Sequence, residues 1–226
     1  MLNDPRLPDA VLFDMDGTLI DSEGLWLQAE IDVMAGLGGH WTDLDQAHCL
    51  GGPLERVAVY MVGKAGSDAD PVDVGAMLLD AMEQKLRESP LVWQPGARAL
   101  VIACRQAGVP TALVSASWTR LIDAVSEKIE RDIGRRAFDV VVAGDDVTES
   151  KPHPEPYLTA AGALATPPGR CLALEDSPTG VRSAVTAGCR VVAIPHIAAI
   201  DGTGALVIDS LAGWTLEALW AGASPQ

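Results

Sequence analysis

The chain has 226 residues, enough to bury a core and to form one large domain or one domain with a smaller insert. Its formal net charge of −15 argues against the basic surface of a nucleic-acid binder and against adsorption to anionic lipid. A small anionic substrate stays open, because a metal ion and a few local cations can reverse the field inside a cleft.

Met1 to Asp9 is polar and contains Pro5 and Pro8. It carries no apolar signal core, and no later stretch is long enough to span a membrane, so a soluble cytoplasmic protein is expected. Cys49, Cys104, Cys171 and Cys189 lie far apart and form no CxxC, which reads as reduced, buried thiols. Ala10 to Phe13 is an apolar run with no polar alternation, as in a strand of a parallel sheet covered on both sides. Asp14 and Asp16 follow at or just past its end, where open α/β sheets bind ligands. Gly17 then allows a sharp turn.

After Ile20 the rhythm becomes helical. Ser22 is the expected N-cap of a helix carrying Leu25, Trp26, Ala29, Ile31, Val33, Met34 and Leu37, stopped at Gly38-Gly39. A second periodic piece starts near Pro53 and a third follows Pro71. No strand is expected between Ser22 and Pro90, which reads as a helical insert placed directly after the first strand.

From Trp93 strands and helices alternate. Pro95-Gly96 opens a helix that stops at Gly108. Pro110 to Val114 is a strand ending at Ser115-Ala116-Ser117, and a helix runs from about Trp118 to Ile133. Phe138 to Ala143 is a strand ending at Asp145 and Asp146, to which turn and capping roles are assigned. A helix starts near Pro154. Cys171 to Leu174 is a strand ending at Glu175-Asp176, and Ser177 with Pro178 starts the next helix. Arg190 to Ile194 and Ala205 to Ile208 are further strands, before a terminal helix carrying Trp214 and Trp220. Strands separated by helices imply a parallel sheet with right-handed crossovers, so all strand ends meet on one edge.

Four carboxylates at that edge, Asp14, Asp16, Glu175 and Asp176, would repel one another. A hard divalent cation resolves this, and Mg²⁺ prefers oxygen ligands. No His or Cys spacing suggests zinc. Ser115 and the backbone N–H groups after it suit a phosphate oxygen. Lys151 supplies a point charge for a phosphoryl group and for a nucleophilic carboxylate.

Together these residues resemble the haloacid dehalogenase-like superfamily of phosphotransferases. Its four motifs stand as Asp14-Met15-Asp16-Gly17-Thr18, Ser115, Lys151-Pro152 and Glu175-Asp176-Ser177, and the likeness covers Ala10 to about Pro195. The resemblance implies an α/β, Rossmann-like core of residues 1–20 and 91–226 with an α-helical cap domain, residues 21–90, that closes over the site and selects the substrate. It implies a Mg²⁺-dependent phosphomonoester hydrolase acting on a small phosphorylated metabolite such as a sugar or polyol phosphate. Asp14 would form an aspartyl-phosphate, and Asp16 would act as general acid and base. Ser115, Ala116 and Lys151 would hold the phosphoryl oxygens. Asp14, Asp176 and the carbonyl of Asp16 would bind Mg²⁺ with help from Glu175.

The loop Leu50-Gly51-Gly52-Pro53, with Arg56 behind it and Glu23 and Trp26 facing it, would read the leaving group. A phosphosugar mutase, β-phosphoglucomutase-like, is the alternative reading, and Trp26 counts against it because the mutases of the group carry a histidine at that position. A receiver-like phosphoacceptor is a second one, opposed by the helical insert and by Asp16. The expected partner is a small-molecule phosphate ester, with no nucleic acid and no membrane, and the chain is expected to be a monomer or weak dimer.

Overall fold

The apolar run before Asp14 forms β1 (Ala10–Phe13), whose four residues have no exposed surface. In this computed structural model, which describes residues 6–49, 53–200 and 204–224, the chain divides by packing into two units, Met1–Asp21 with Leu91–Gln226, and Ser22–Pro90.

Among its described residues the second unit contains α1 (Glu23–Gly36), α2 (Asp43–Cys49), α3 (Leu54–Ala65) and α4 (Pro71–Glu88), and no strand. Val33, Met34, Val57, Ala58, Met61, Val74 and Leu78 form its core. Asp70 caps α4 by accepting from Val72 N, with Pro71 in the first turn, where a missing N–H costs nothing. Ser22 departs from expectation. It stands before α1, but its side chain makes no cap bond, because its backbone is already in the right-handed region (φ −110°, ψ −4°) rather than the extended conformation that aims a cap oxygen into the first turn.

Helix α2 was not foreseen, since Asp-Leu-Asp-Gln-Ala-His-Cys shows no apolar period. Tertiary contacts hold it. The buried Asp45 accepts from Thr42 N (2.8 Å), Thr42 Oγ1, Tyr60 OH (2.6 Å) and Lys64 Nζ (2.5 Å), the last two on α3. The Lys64 bond leads the effects that hold this carboxyl well below the ordinary range.

Glu30 on α1 is the opposite case. It is buried and accepts a hydrogen bond from Trp41 Nε1 at 3.1 Å. Burial pushes its carboxyl up to about 7, against the Trp41 bond and with the help of the Glu23 charge. The folded chain therefore keeps a proton that the unfolded chain releases near 4.5, so stability falls as the pH rises through that interval, by about 3 kcal/mol for this group. Glu30→Gln, which preserves the Trp41 bond, is expected to raise the melting temperature by several degrees at pH 8, with the difference closing below pH 5. Equal melting temperatures at pH 8 would remove the claim.

The first unit carries the sheet. Beyond β1 it contains α5 (Ala97–Ala107), β2 (Thr111–Val114), α6 (Thr119–Ile133), β3 (Val140–Val142), α7 (Glu155–Ala163), β4 (Cys171–Glu175), α8 (Pro178–Thr186), β5 (Arg190–Ala193), β6 (Leu206–Val207) and α9 (Leu216–Gly222). The order is β3-β2-β1-β4-β5-β6 and every pair is parallel. Alternate residues divide between the two faces: Ala10 and Leu12 pack with Ala112, Val114, Tyr157 and Ala173 on one, while Phe13 meets Phe138 edge to face at 6.1 Å.

Trp214, expected within the last helix, precedes it. Thr215 caps α9 by accepting from Ala218 N at 3.2 Å, and a cap residue marks the helix start whatever the apolar residue before it. Trp220 of α9 lies against the guanidinium groups of Arg190 (3.9 Å from the ring centroid) and Arg170 (5.2 Å). None of the described helices is long and apolar enough to cross a membrane.

Candidate active site

The register of the sheet determines which side chains meet. Phe13 pairs with Leu174 on β4 and with Leu113 on β2, so Asp14 stands opposite Glu175 on one side and Val114 on the other. The ladder runs on past the strand ends, through Asp14 N to Leu174 O (3.0 Å) and Ser115 N to Val142 O (3.0 Å). Asp14, Ser115 and Glu175, distant in the chain, thus share one edge.

Lys151 ties them. Its ammonium donates to Asp14 Oδ1 (2.7 Å), Glu175 Oε1 (2.5 Å) and Val114 O (2.9 Å), which uses all three of its hydrogens. The lysine side chain is 5% exposed and Glu175 is wholly buried, so this ion-paired group is shielded from water. Burial pulls the Lys151 pKa down, but Asp14 and Glu175 outweigh it and keep the ammonium charged.

Oxygens of Asp14, Glu175 and Asp176 all lie within 4.8 Å of one another. Burial, followed by the charge of Glu175, raises the Asp14 carboxyl above the ordinary carboxylate range, against the pull of Lys151. Burial, followed by Asp14 and Glu175, does the same to Asp176. Three carboxylates against one ammonium leave an uncompensated negative charge. The cluster holds oxygen donors and no His or Cys, so these residues fit a hard divalent cation.

The backbone makes room for the cluster. Gly17 has φ +82°, and a Cβ there would collide with Asp176 Oδ2. A Cβ on Gly180 of α8 would likewise strike the Glu175 carboxylate. Ser177 caps α8 by accepting from Gly180 N (3.0 Å), and its hydroxyl also lies 3.2 Å from Glu175 Oε2.

The other predicted residues are placed as follows. Asp16 Oδ2 accepts from Ser117 Oγ at 2.8 Å, and its backbone bridges to Ile20. Ser115 is buried, and its Oγ accepts from Ser117 N at 3.0 Å. Ala116 is exposed. Asp145 accepts from Thr119 N and Oγ1, both at 2.8 Å, at the start of α6, and Asp146 accepts from Ala143 N.

In the helical unit, Glu23 and Trp26 are half-buried on α1. Arg56 directs its guanidinium to the carbonyls of His48 (3.2 Å) and Cys49 (3.4 Å) at the end of α2, a helix-terminating contact. Gly51 and Gly52 lie outside the described residues.

Two side chains of the site carry no sequence signal that would have found them. Ser117 is one of two serines in Ser115-Ala116-Ser117, and only the turn geometry shows that it is the one on Asp16. Tyr157 sits in a helical pattern like any core residue, yet its hydroxyl donates to Glu175 Oε1 at 2.7 Å.

A profile described as haloacid dehalogenase-like hydrolase matches residues 11–194. Hexitol phosphatase B of Escherichia coli (strain K12) is 33% identical over 201 residues, covering 86% of each chain. Protein CbbY of Cereibacter sphaeroides is 32% identical over 193 residues, 83% of this chain and 84% of its own. Among solved structures, CbbY from Rhodobacter sphaeroides in complex with phosphate superposes with a TM-score of 0.82 at 27% identity, over 94% of this chain and 99% of that one.

Proposed function

The chain belongs to the haloacid dehalogenase-like hydrolases, and on that footing we propose that it is a Mg²⁺-dependent phosphomonoester hydrolase whose substrate is a small sugar or polyol phosphate. The observation that carries this reading is the meeting of Asp14, Glu175 and Asp176 beside the ammonium of Lys151. The likeness to a hexitol phosphatase supports the substrate class.

Asp14, Asp176 and the backbone carbonyl of Asp16, with Glu175 assisting, would hold Mg²⁺, which when bound supplies Lewis-acid stabilisation of charge on the phosphoryl oxygens. The chain's own groups do the rest. A carboxylate oxygen of Asp14 forms a bond to phosphorus as the ester P–O bond breaks. Asp16, oriented by Ser117, gives its proton to the departing alkoxide. It then takes a proton from the water that attacks phosphorus and releases Asp14. Ser115, with the backbone at Ala116, holds the phosphoryl oxygens, and the Lys151 ammonium, which donates to Asp14, Glu175 and Val114, neutralises their charge. The choice of ester is assigned to the helical insert, residues 21–90, through Glu23, Trp26, Gly51, Gly52 and Arg56.

The test is steady-state phosphate release from a panel of hexitol, hexose and glycerol phosphates. Turnover of at least one ester with Mg²⁺, stopped by chelation, is expected. No release from any ester would overturn the reading, and conversion of β-glucose 1-phosphate without release would replace it with the mutase. Binding is read separately by thermal melting. A hundredfold excess of Mg²⁺ over its Kd contributes about 2.7 kcal/mol, so the melting temperature should rise, and Asp176→Asn should abolish the rise.

A further inference from the structure

Tyr157 is the largest side chain of the core with no exposed surface. It is not at a strand end, and the mechanism above gives it no part. Its hydroxyl nevertheless donates to Glu175 Oε1, the same oxygen that takes Lys151 Nζ, and its ring lies 5.2 Å from that ammonium. The tyrosine thus touches both members of the buried ion pair.

The arrangement has a mechanical consequence. Among the described residues, the hydrogen bonds to Glu175 Oε2 come from Ser177, at 3.2 Å from the hydroxyl and 3.5 Å from the backbone nitrogen, and these are long contacts. The orientation of the carboxylate therefore depends on what meets Oε1. A hydroxyl and an ammonium together fix that oxygen in two directions, whereas the ammonium alone would leave it free to swing with the lysine. The hydroxyl also shares the negative charge of Oε1, so Glu175 holds Lys151 less exclusively and leaves the lysine's other hydrogens directed at Asp14 and Val114.

We propose that Tyr157 is a positioning residue: acting through Glu175, it holds the Lys151 ammonium in the direction that serves Asp14 and the incoming phosphoryl group. The part concerning turnover rests on the phosphatase reading above, and the part concerning Lys151 does not.

Tyr157→Phe keeps the ring over Lys151 and removes only the hydroxyl. With the best ester found, kcat should fall about ten- to hundredfold while KM changes less than about threefold, because a misdirected ammonium affects the transition state more than initial binding. The losses should also be non-additive: Tyr157→Phe combined with Glu175→Gln should be no slower than Glu175→Gln alone. Additive losses, or a rise in KM at unchanged kcat, would overturn the proposal.

A readout free of both activity and metal comes from the lysine ammonium signals in ¹H–¹⁵N spectra, which are simple because the chain has four lysines. The wild type should show one slowly exchanging ammonium, identified by its loss in Lys151→Arg. In Tyr157→Phe, recorded well below its melting temperature, that signal should shift and broaden by exchange. An unchanged signal would overturn the proposal even if Tyr157→Phe were less stable. If the wild type turned over no ester, the function would be lost while this spectrum still judged the geometry.

Discussion

Asp14→Asn should lower phosphate release by about 10⁴-fold or more, the scale seen when a nucleophile that works as part of a unit is removed. The amide is nearly isosteric with the carboxylate, so the substitution removes nucleophilicity with little change of shape. It should not harm the fold. The Asp14 carboxyl is already driven toward its neutral form by burial and by Glu175. Lys151 would keep its bonds to Glu175 and Val114. The melting temperature in the absence of metal is expected to equal or exceed that of the wild type. Turnover within tenfold of the wild type, with the fold intact, would deny Asp14 its role.

Lys151→Met should behave differently, losing both activity and stability. Methionine fills a similar volume but cannot donate. Glu175, wholly buried, would keep only Tyr157 and Ser177, and Asp14 would face it with no intervening positive charge. Removing one partner of a buried pair leaves the other uncompensated, which costs about 3–5 kcal/mol. Loss of a preorganised cation at the phosphoryl group should reduce turnover by about 10³-fold. Urea unfolding at pH 7 and steady-state assays measure the two effects. An unchanged urea midpoint would mean that the ammonium carries no structural weight. The contrast between the two variants is the informative result, since one relieves crowded negative charge and the other exposes it.

Much of the sheet was legible because β1, β2 and β4 are buried on both faces. Val11-Leu12-Phe13, Ala112-Leu113-Val114 and Leu172-Ala173-Leu174 are short apolar runs bounded by polar residues, and such runs have few places to go except a covered parallel sheet. Alternation with helices then put Asp14, Ser115 and Glu175 on one edge. The four-motif likeness supplied their order. What did not show was anything held by contacts distant in sequence. Helix α2 exists because Tyr60 and Lys64 reach Asp45 from another helix, and its own seven residues carry no periodic signal. Ser22 looked like a cap by composition, but with the backbone conformation found before α1 its side chain makes no cap bond. Nor did the sequence show that the guanidinium of Arg56 meets the carbonyls of His48 and Cys49.

The sequence by itself determined where polar groups interrupt apolar ones, and hence the parallel sheet and the edge on which its acidic residues collect. Only the tertiary structure decided how those groups divide the work: that Glu175 faces Lys151 and Tyr157, that Asp176 lies where Gly17 lacks a side chain, and that Ser117 rather than Ser115 meets Asp16. The physical reason is one of range. Burial and periodicity are properties of neighbouring residues and are written along the chain. The direction of a hydrogen bond depends on strand register and on which backbone positions leave room, and those are settled only when distant segments pack together.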